Sequence, residues 1–285
     1  MPPLPLLSNA TTSLTHQVEV MDERGRSSYI SIPAERPLTI YLDRRELVTL
    51  MTLGDAPEAL TLGYLRNQRL VRSIAEIESI QVDWDVEAVA VKTRGGVKDI
   101  AQRTARRVVT SGCGQGSSFG GLMDEVETIV LPPDARLAQS VLYRIVDTIR
   151  TRQSIYKQAG SVHGCALFST TGDPLYFIED VGRHNAVDAI AGKMWLDQMR
   201  GDDKVFYTTG RLTSEMVIKG AQMGIPFLLS RSGTTQMGHA VAQRLDMTLL
   251  ARCTGKHFIL LTGKERLIYE PHLLDVPPSQ SLHIV

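Results

Sequence analysis

The chain of 285 residues has no excess of charge of either sign. Thirty-one lysines and arginines balance thirty-one aspartates and glutamates, and the isoelectric point is near 7.1. A basic surface of the kind that binds nucleic acid or an anionic membrane is therefore not expected. Any anionic ligand must instead be bound by a local pocket.

Cysteine is also scarce. The three cysteines are Cys113, Cys165 and Cys253, which are far apart in sequence and form no Cys-x-x-Cys pair. An odd number at such wide spacing argues against a disulfide framework and against a closed zinc site. We expect free thiols and no metal.

Long apolar runs are missing as well. No uninterrupted run approaches the ~20 residues that a membrane-spanning helix needs. Residues 1–16 are rich in proline, serine and threonine and lack the basic start of a secretory signal. We therefore expect a cytoplasmic protein without membrane contact, and we predict that residues 1–16 form a disordered tail.

The first half of the chain is rich in short β segments. The strings VEVM, YISI, LTIYL and LVTLM alternate with turns, which predicts antiparallel hairpins. One helix is expected, with Asp55 as N-cap and Pro57 in its first turn. We predict a smaller β-rich α+β domain over residues 17–110, followed by a glycine-rich loop and linker over 111–133.

The second half has an α/β pattern. An amphipathic helix is predicted over 134–152, with Asp134 as its cap, and the strings VHGCALFS and PLYFIEDV form a hairpin around TTGD. Three helices then alternate with strands up to HFILLT. The alternation predicts an α/β domain over 134–270 with a mixed, mostly parallel sheet that is edged by an antiparallel hairpin and has helices on both faces. Residues 271–285 are predicted to be a C-terminal tail.

Three polar loops each follow a strand and open a helix in this domain. They are EDVGRHN at 179–185, GRLTSE at 210–215 and SRSGTT at 230–235. One such loop is a capped helix start, with Asp180 or Asn185 as the cap of the first. Three in succession predict a pocket at the carboxyl ends of the strands, where helix N-termini and arginines bind phosphate oxygens.

The predicted ligand-binding residues come from these loops and from the end of the sheet. They are Arg183, His184, Asn185, Arg211, Ser214, Arg231, Ser232, Thr234, Thr235, Arg252, Cys253, Thr254, Gly255, Lys256 and His257.

Cys113 lies in the glycine-rich string TSGCGQGSSFGG, shortly after Arg103, Arg106 and Arg107. A flexible linker with an incidental cysteine is one interpretation. The other is a reactive thiol, whose pKa the arginines would lower if they lie near it in space. The residues alone leave both interpretations open.

Several long strings resemble one family. EDVGRHNAVD, GRLTSEMVIKGAQMGIPFLLSRSGTT, GSVHGCAL, TSGCG, ERPLTIYLD and LMTLGDAPEALTLGYL are similar to the formate dehydrogenase accessory proteins of the FdhD/NarQ family. The resemblance extends over roughly residues 35–270. It implies a cytidine-deaminase-like α/β/α sandwich with a mixed sheet, together with a smaller N-terminal β-rich α+β part.

The same resemblance implies a function. Family members are sulfur carriers, or sulfurtransferases, that pass persulfide sulfur from a cysteine desulfurase to the bis-molybdopterin guanine dinucleotide molybdenum cofactor of formate dehydrogenase. Cys113 matches the sulfur-carrying position, and GDP is a fragment of the cofactor. A homodimer and contact with the formate dehydrogenase apoprotein are implied too.

The sequence departs from the family pattern at the cysteine loop. Cys113-Gly114-Gln115-Gly116 keeps only the first cysteine of the usual Cys-x-x-Cys. Ser232-Gly233-Thr234-Thr235 and the segment 251–254 also differ from the family strings. A divergent carrier is one reading, and a cofactor-binding chaperone or nucleotide-binding paralogue that moves no sulfur is the other.

Cys165 is two residues after His163, on the same side of a predicted strand. A buried, inert thiol is the favoured interpretation, and a resolving thiol that replaces the missing loop cysteine is the alternative. A zinc deaminase, the other class that the fold suggests, would need His-x-Glu and a later Pro-Cys-x-x-Cys. His163-Gly164-Cys165 lacks the glutamate, so zinc hydrolysis is not expected.

Overall fold

A computed structural model of the chain describes residues 3–96 and 128–273. Cys113, its neighbouring arginines Arg103, Arg106 and Arg107, and the predicted tail from residue 274 lie outside the described residues. The structure contains two main sheets, one from each half of the chain, with helices between them and beyond them.

The N-terminal half builds a five-stranded sheet and a separate hairpin. The sheet has the order β1-β6-β7-β4-β5, with β1 Leu6–Leu7, β4 Arg36–Leu42, β5 Arg45–Thr52, β6 Ile77–Asp83 and β7 Ala88–Thr93. The hairpin pairs β2 Thr15–Met21 with β3 Ser27–Pro33. Helix α1, Pro57–Asn67, follows β5, and a short 3-10 turn, Ile74–Glu76, precedes β6. Both predicted antiparallel hairpins are confirmed.

The start of the chain is packed rather than free. Leu6 and Leu7 pair in parallel with β6, and the Ser8 hydroxyl donates to Glu58 Oε1 at 2.6 Å. The backbone N–H of Ala10 donates to the same oxygen at 2.7 Å. A buried carboxylate requires such donors, and this segment supplies them. The predicted disordered tail is therefore wrong for residues 3–16.

The C-terminal half builds a six-stranded sheet in the order β10-β9-β11-β12-β13-β14. Its strands are β9 His163–Ser169, β10 Pro174–Asp180, β11 Lys204–Thr208, β12 Phe227–Ser230, β13 Thr248–Thr254 and β14 His257–Thr262. The helices are α2 Gln139–Thr151, α3 Ile155–Ala159, α4 Arg183–Leu196, α5 Ser214–Gln222 and α6 Gln236–Arg244. A two-stranded pair, β8 Leu137–Ala138 with β15 Leu267–Ile268, and 3-10 turns at Lys264–Arg266 and Pro271–Leu273 complete it.

The six-stranded sheet is mixed. β11, β12 and β13 run parallel, whereas β10 with β9, β9 with β11 and β13 with β14 pair antiparallel. The expectation of a mostly parallel sheet is therefore wrong, because a hairpin closes each edge of the parallel centre. The likeness of this arrangement to cytidine deaminases stays a prediction.

Side chains alternate between two layers along each central strand. Phe206 and Leu228 pack into the layer that contains α4, α5 and α6. Val205 and Phe227, one residue earlier on the same strands, pack into the layer that contains α2. This period of two is what a sheet buried on both faces requires. The predicted helices on both faces are confirmed.

The two halves are joined by a close crossing of α1 and α4. A Cβ on Gly63 would lie 1.7 Å from the carbonyl oxygen of Asp188, and one on Gly192 would lie 1.9 Å from that of Ala59. Only glycine permits backbones to approach this closely. One hydrophobic core runs through the contact, from Ile40 in the first sheet to Leu228 in the second. The segments predicted as separate domains, 17–110 and 134–270, thus share a core.

Two predicted helix caps are wrong. Ala56 rather than Asp55 is the N-cap of α1, and Ala138 rather than Asp134 is the N-cap of α2, with no side-chain cap in either case. Pro57 is the first residue of α1, a position where its missing N–H costs no intrahelical hydrogen bond. At α2 the short strand β8 occupies the residues just before the helix, so the helix begins later than the pattern indicates.

Within the described residues, no helix is long and apolar enough to cross a membrane.

Replacing Gly63 with alanine should destabilise the protein by at least about 3 kcal/mol, because the new methyl group meets backbone that cannot move alone. Helix propensity alone predicts the opposite sign, a gain of up to about 1 kcal/mol. Urea denaturation measures the change. Gly95→Ala is the matched control, since a Cβ there has nothing within 4 Å. Equal stability of both variants would contradict the close crossing.

Candidate functional site

The polar loops of the second half meet at one edge of the six-stranded sheet. β11, β12 and β13 are parallel, and β10 and β11 are both antiparallel to β9. All four strands therefore end at the same edge, and β9 begins there with His163. The predicted convergence of the loops at the carboxyl ends of the strands is confirmed.

Hydrogen bonds connect the loops 210–215 and 230–235 to each other. The N–H of Leu212 donates to the carbonyl of Gly233 at 2.9 Å, and the Ser230 hydroxyl donates to the carbonyl of Gly210 at 2.6 Å. The N–H of Arg252 donates to the carbonyl of Ser232 at 2.8 Å, which attaches the end of β13 to the same loops. The loops therefore hold fixed positions relative to one another.

The third loop, 179–185, is held by the N-terminal sheet. The buried Asp180 carboxylate accepts from the Thr52 hydroxyl, the Leu53 N–H and the Asn185 amide. The Asn185 amide also donates to the carbonyl of Met51 at 2.7 Å. Burial raises the pKa of Asp180, and these donors act in the opposite direction. Asp180 and Asn185 thus connect the two halves.

Neither Asp180 nor Asn185 caps α4. The N-cap is Gly182, without a side-chain hydrogen bond, so the predicted cap at Asp180 or Asn185 is wrong. The N-cap of α5 is Thr213, again without a side-chain cap, whereas Thr235 caps α6 by accepting from the N–H of Gly238 at 3.1 Å. Among the described residues, no side chain of the N-cap residue closes the start of α4 or α5, where the positive end of the helix dipole lies.

Buried polar atoms without partners cluster at these two helix starts. Within the described residues, Arg183 Nε, His184 Nδ1, Thr213 Oγ1 and Glu215 Oε1 are buried and make no hydrogen bond. Each such group typically costs about 1–3 kcal/mol, and native proteins contain few of them. His184 Nδ1 and Glu215 Oε1 lie 3.4 Å from each other, and Lys219 Nζ lies 3.5 Å from Glu215 Oε1, so Arg183 Nε and Thr213 Oγ1 are the two atoms of this cluster that face no side-chain partner among the described residues.

The arginines give the site a positive charge. Arg183, the first residue of α4, packs over Gly210, where a Cβ would lie 2.9 Å from Arg183 Cδ. Burial lowers the pKa of His163, and the charges of Arg183 and Arg211 lower it further. Both guanidinium groups therefore act on the first residue of β9. Arg211 is exposed, and so is Arg231, which lies 5.8 Å from the ring centroid of Tyr156.

His184 carries no charge in this setting. Burial lowers its pKa to about 2, and the positive charges of Lys219 and Arg183 contribute. At neutral pH the ring is therefore a neutral imidazole with one N–H and one lone pair. It adds nothing to the attraction for a phosphate group.

The two described cysteines are buried on opposite faces of the sheet. Cys165 has no exposed surface and lies in the layer of α4, and its thiol donates to Thr208 Oγ1 at 3.4 Å. Cys253 is 1% exposed and lies in the layer of α2. Burial raises the pKa of each thiol to about 12. The structure therefore favours a buried, inert Cys165, and the side chain of Cys253 is not accessible to a ligand.

The remaining predicted residues divide between structural contacts and exposed positions. Thr234 donates its hydroxyl to the carbonyl of Leu212 at 2.8 Å, and Ser214 is the half-buried first residue of α5. Arg252 has a left-handed backbone, with φ of 53°. The turn 254–257 is exposed at the same edge, and Lys256 Nζ donates to the carbonyl of Leu273 at 3.0 Å.

Sequence reasoning missed the buried charges behind the site. Asp188 is fully buried in α4, and Lys219 is 3% exposed in α5. Both occur inside apolar helix segments, AVDAIAG and MVIKGA. A charge within an apolar helical run is the signal that could have identified them.

The described residues contain no group of three or more histidine, cysteine, aspartate or glutamate side chains arranged to hold a metal ion.

A family model for the FdhD/NarQ family matches residues 33–268, which is most of the chain. The chain belongs to this family. It is 31% identical over 257 residues to the sulfur carrier protein FdhD of Saccharolobus solfataricus, covering 88% of this chain and 96% of the relative. It is 29% identical over 239 residues to that of Listeria innocua serovar 6a, covering 83% and 91%.

A solved structure is similar along almost its entire length. It is a crystal structure of a Desulfotalea psychrophila protein described as a formate dehydrogenase accessory protein. The TM-score is 0.71 at 26% sequence identity, and the alignment covers 89% of this chain and 98% of that one. The family resemblance noted from the sequence strings is thereby confirmed.

The described cysteines should resist alkylation in the folded protein. In a Cys113→Ala variant, Cys165 and Cys253 are the remaining thiols. Because the thiolate is the reactive form, buried thiols with raised pKa values should react with iodoacetamide at pH 8 only after unfolding. Mass spectrometry with and without urea measures this. Rapid labelling of Cys165 in the folded variant would restore it as a candidate resolving thiol.

Proposed function

We propose that the protein is a sulfur carrier that accepts persulfide sulfur on Cys113 from a cysteine desulfurase and delivers it to the molybdenum cofactor of formate dehydrogenase. Its relatives are named sulfur carrier proteins, and a protein of similar structure is described as a formate dehydrogenase accessory protein. The observation that carries the proposal is the family match over residues 33–268, together with the burial of Cys165 and Cys253, which leaves Cys113 as the candidate carrier thiol.

The choice of Cys113 follows from the state of the other thiols. A sulfur carrier needs an accessible thiol that forms a thiolate near neutral pH. Cys165 and Cys253 are buried, and their pKa values are raised to about 12. Cys113 is the remaining one of the three cysteines of the chain. It lies outside the described residues, and its assignment as carrier is part of the proposal.

Loading is a thiol exchange. The Cys113 thiolate attacks the terminal sulfur of the donor persulfide, and the bond between the two donor sulfurs breaks. The donor cysteine leaves as a thiolate, and Cys113 becomes the persulfide. No external oxidant is needed, since the transferred sulfur only changes partners.

The strand-end site fits the diphosphate part of bis-molybdopterin guanine dinucleotide. Arg183 and Arg211 supply guanidinium donors, and the uncapped starts of α4 and α5 supply backbone N–H groups. When bound, the cofactor supplies the metal centre that takes up sulfur. The residues of this chain bind and orient its nucleotide part.

A second candidate is a cofactor-binding chaperone or nucleotide-binding paralogue that moves no sulfur. Position 116 is glycine where the family pattern has a second cysteine, and the buried Cys165 offers no substitute thiol. Loading of Cys113 distinguishes the two candidates. The carrier proposal also includes a cytoplasmic location, contact with the formate dehydrogenase apoprotein and a homodimer.

Persulfide loading is tested by incubating the protein with a cysteine desulfurase and cysteine. We expect a mass increase of about 32 Da on Cys113, which Cys113→Ala should abolish. Cys165→Ala should load like the parent, because that thiol is buried. A parent that folds and binds nucleotide but takes up no sulfur would favour the second candidate.

Nucleotide binding is tested by titration calorimetry with GDP. Arg183→Glu and Arg211→Glu should each weaken binding more than about tenfold, because each replaces a charge-assisted bidentate contact to phosphate oxygens with a like-charge repulsion, which exceeds the ~0–1 kcal/mol of a surface ion pair. Arg200→Glu is the control, as that side chain is 84% exposed. It should change affinity less than about twofold. Equal GDP affinities in the parent and all three variants would contradict a nucleotide site at these arginines.

A further inference from the structure

A chain of buried polar side chains links the helix crossing to the site. The Asn67 amide on α1 donates to Asp188 Oδ1 on α4 at 2.6 Å. Lys219 Nζ on α5 lies 2.9 Å and 3.0 Å from the two oxygens of Asp188. The exposed fractions of Asn67, Asp188 and Lys219 are 3%, 0% and 3%.

Lys219 extends this chain toward the ligand. Its Nζ lies 3.5 Å from Glu215 Oε1, one helical turn earlier on α5. Burial by itself would lower the pKa of Lys219, but Asp188 and Glu215 outweigh it and the pKa is raised. The side chain is therefore an ammonium ion, which places a positive charge beside the Glu215 carboxyl group.

Glu215 in turn faces His184. Its Oε1 lies 3.4 Å from His184 Nδ1, and within the described residues His184 Nδ1 makes no other hydrogen bond. A carboxylate oxygen only accepts, and a neutral imidazole has one donor nitrogen and one acceptor nitrogen. The proton of the ring is favoured on Nδ1, because a lone pair there would face a negative oxygen.

We propose that Glu215, held in place by Lys219 and Asp188, fixes His184 in the Nδ1–H tautomer, so that Nε2 presents a lone pair to the ligand. This is a positioning role for Glu215 and a specificity role for His184. The identity of the ligand rests on the proposed function, whereas the tautomer does not.

With this tautomer fixed, the arginines and His184 would bind different parts of a ligand. A lone pair at Nε2 accepts an N–H or O–H from a ligand and repels phosphate oxygens. Phosphate groups are bound by Arg183 and Arg211, and His184 contacts a ring edge that carries donors. Guanine has such donors at its ring N–H and its exocyclic amine. The pair Glu215–His184 therefore favours a guanine nucleotide over inorganic pyrophosphate.

Nitrogen NMR of the full chain, labelled with 15N-histidine, tests the tautomer directly. The His184 signals are assigned by their loss in His184→Asn. We expect a protonated Nδ1 and an unprotonated Nε2 near neutral pH in the free protein. A proton on Nε2, or a doubly protonated ring, would overturn the proposal.

Two substitutions at Glu215 separate positioning from a structural role. Glu215→Gln keeps an oxygen that accepts from Nδ1–H and should keep the parent spectrum. Glu215→Leu removes the acceptor and should move the proton toward Nε2. Glu23→Leu, at a side chain that is 82% exposed, is the control. An unchanged His184 spectrum in a folded Glu215→Leu protein would also overturn the proposal.

Binding of two probes completes the test. Glu215→Leu should weaken GDP more than about tenfold, because the ring donor loses its acceptor, and Glu215→Gln should restore it. Pyrophosphate affinity should change less than about twofold, since it involves the arginines. Equal GDP affinity in parent and Glu215→Leu would refute the specificity role. If GDP fails to bind the parent, the proposed function fails, and the NMR spectra still decide the tautomer.

Discussion

The crossing of α1 over α4 is the contact on which the rest of the structure depends. Gly63 and Gly192 bring the two backbones so close that no side chain fits between them. The same crossing encloses the Asp188–Lys219 ion pair, which is removed from water on all sides. A buried pair of this kind contributes little net stability, but the loss of one partner is costly. The contact therefore specifies one relative position of the two halves.

That position determines the shape of the site. The hydroxyl of Thr52, the last residue of β5, and the N–H of the following Leu53 hold the carboxylate of Asp180. With Asp180 engaged there, it does not cap α4, and the helix N-terminus stays available. A polar loop that appears self-sufficient in sequence is thus completed by a strand more than one hundred residues away.

Charge is distributed unevenly across the strand-end site. Arg183 and Arg211 carry positive charge at its edge, while the buried His184 is neutral. Behind His184, one ammonium group lies between two carboxylates. The edge of the site is thus cationic, whereas its buried interior contains a neutral ring beside an ion pair.

Local patterns in the sequence determined the elements, and the tertiary structure determined their partners. The hairpins, the βαβ alternation and the three polar loops follow from hydrophobic period and turn chemistry, which act over a few residues. The cap expected at Asp180, the disordered tail expected over residues 1–16 and the mostly parallel sheet all failed for one reason. Each depends on a contact between residues far apart in the chain, and a short sequence pattern carries no information about which distant group will supply a donor, an acceptor or a neighbouring strand.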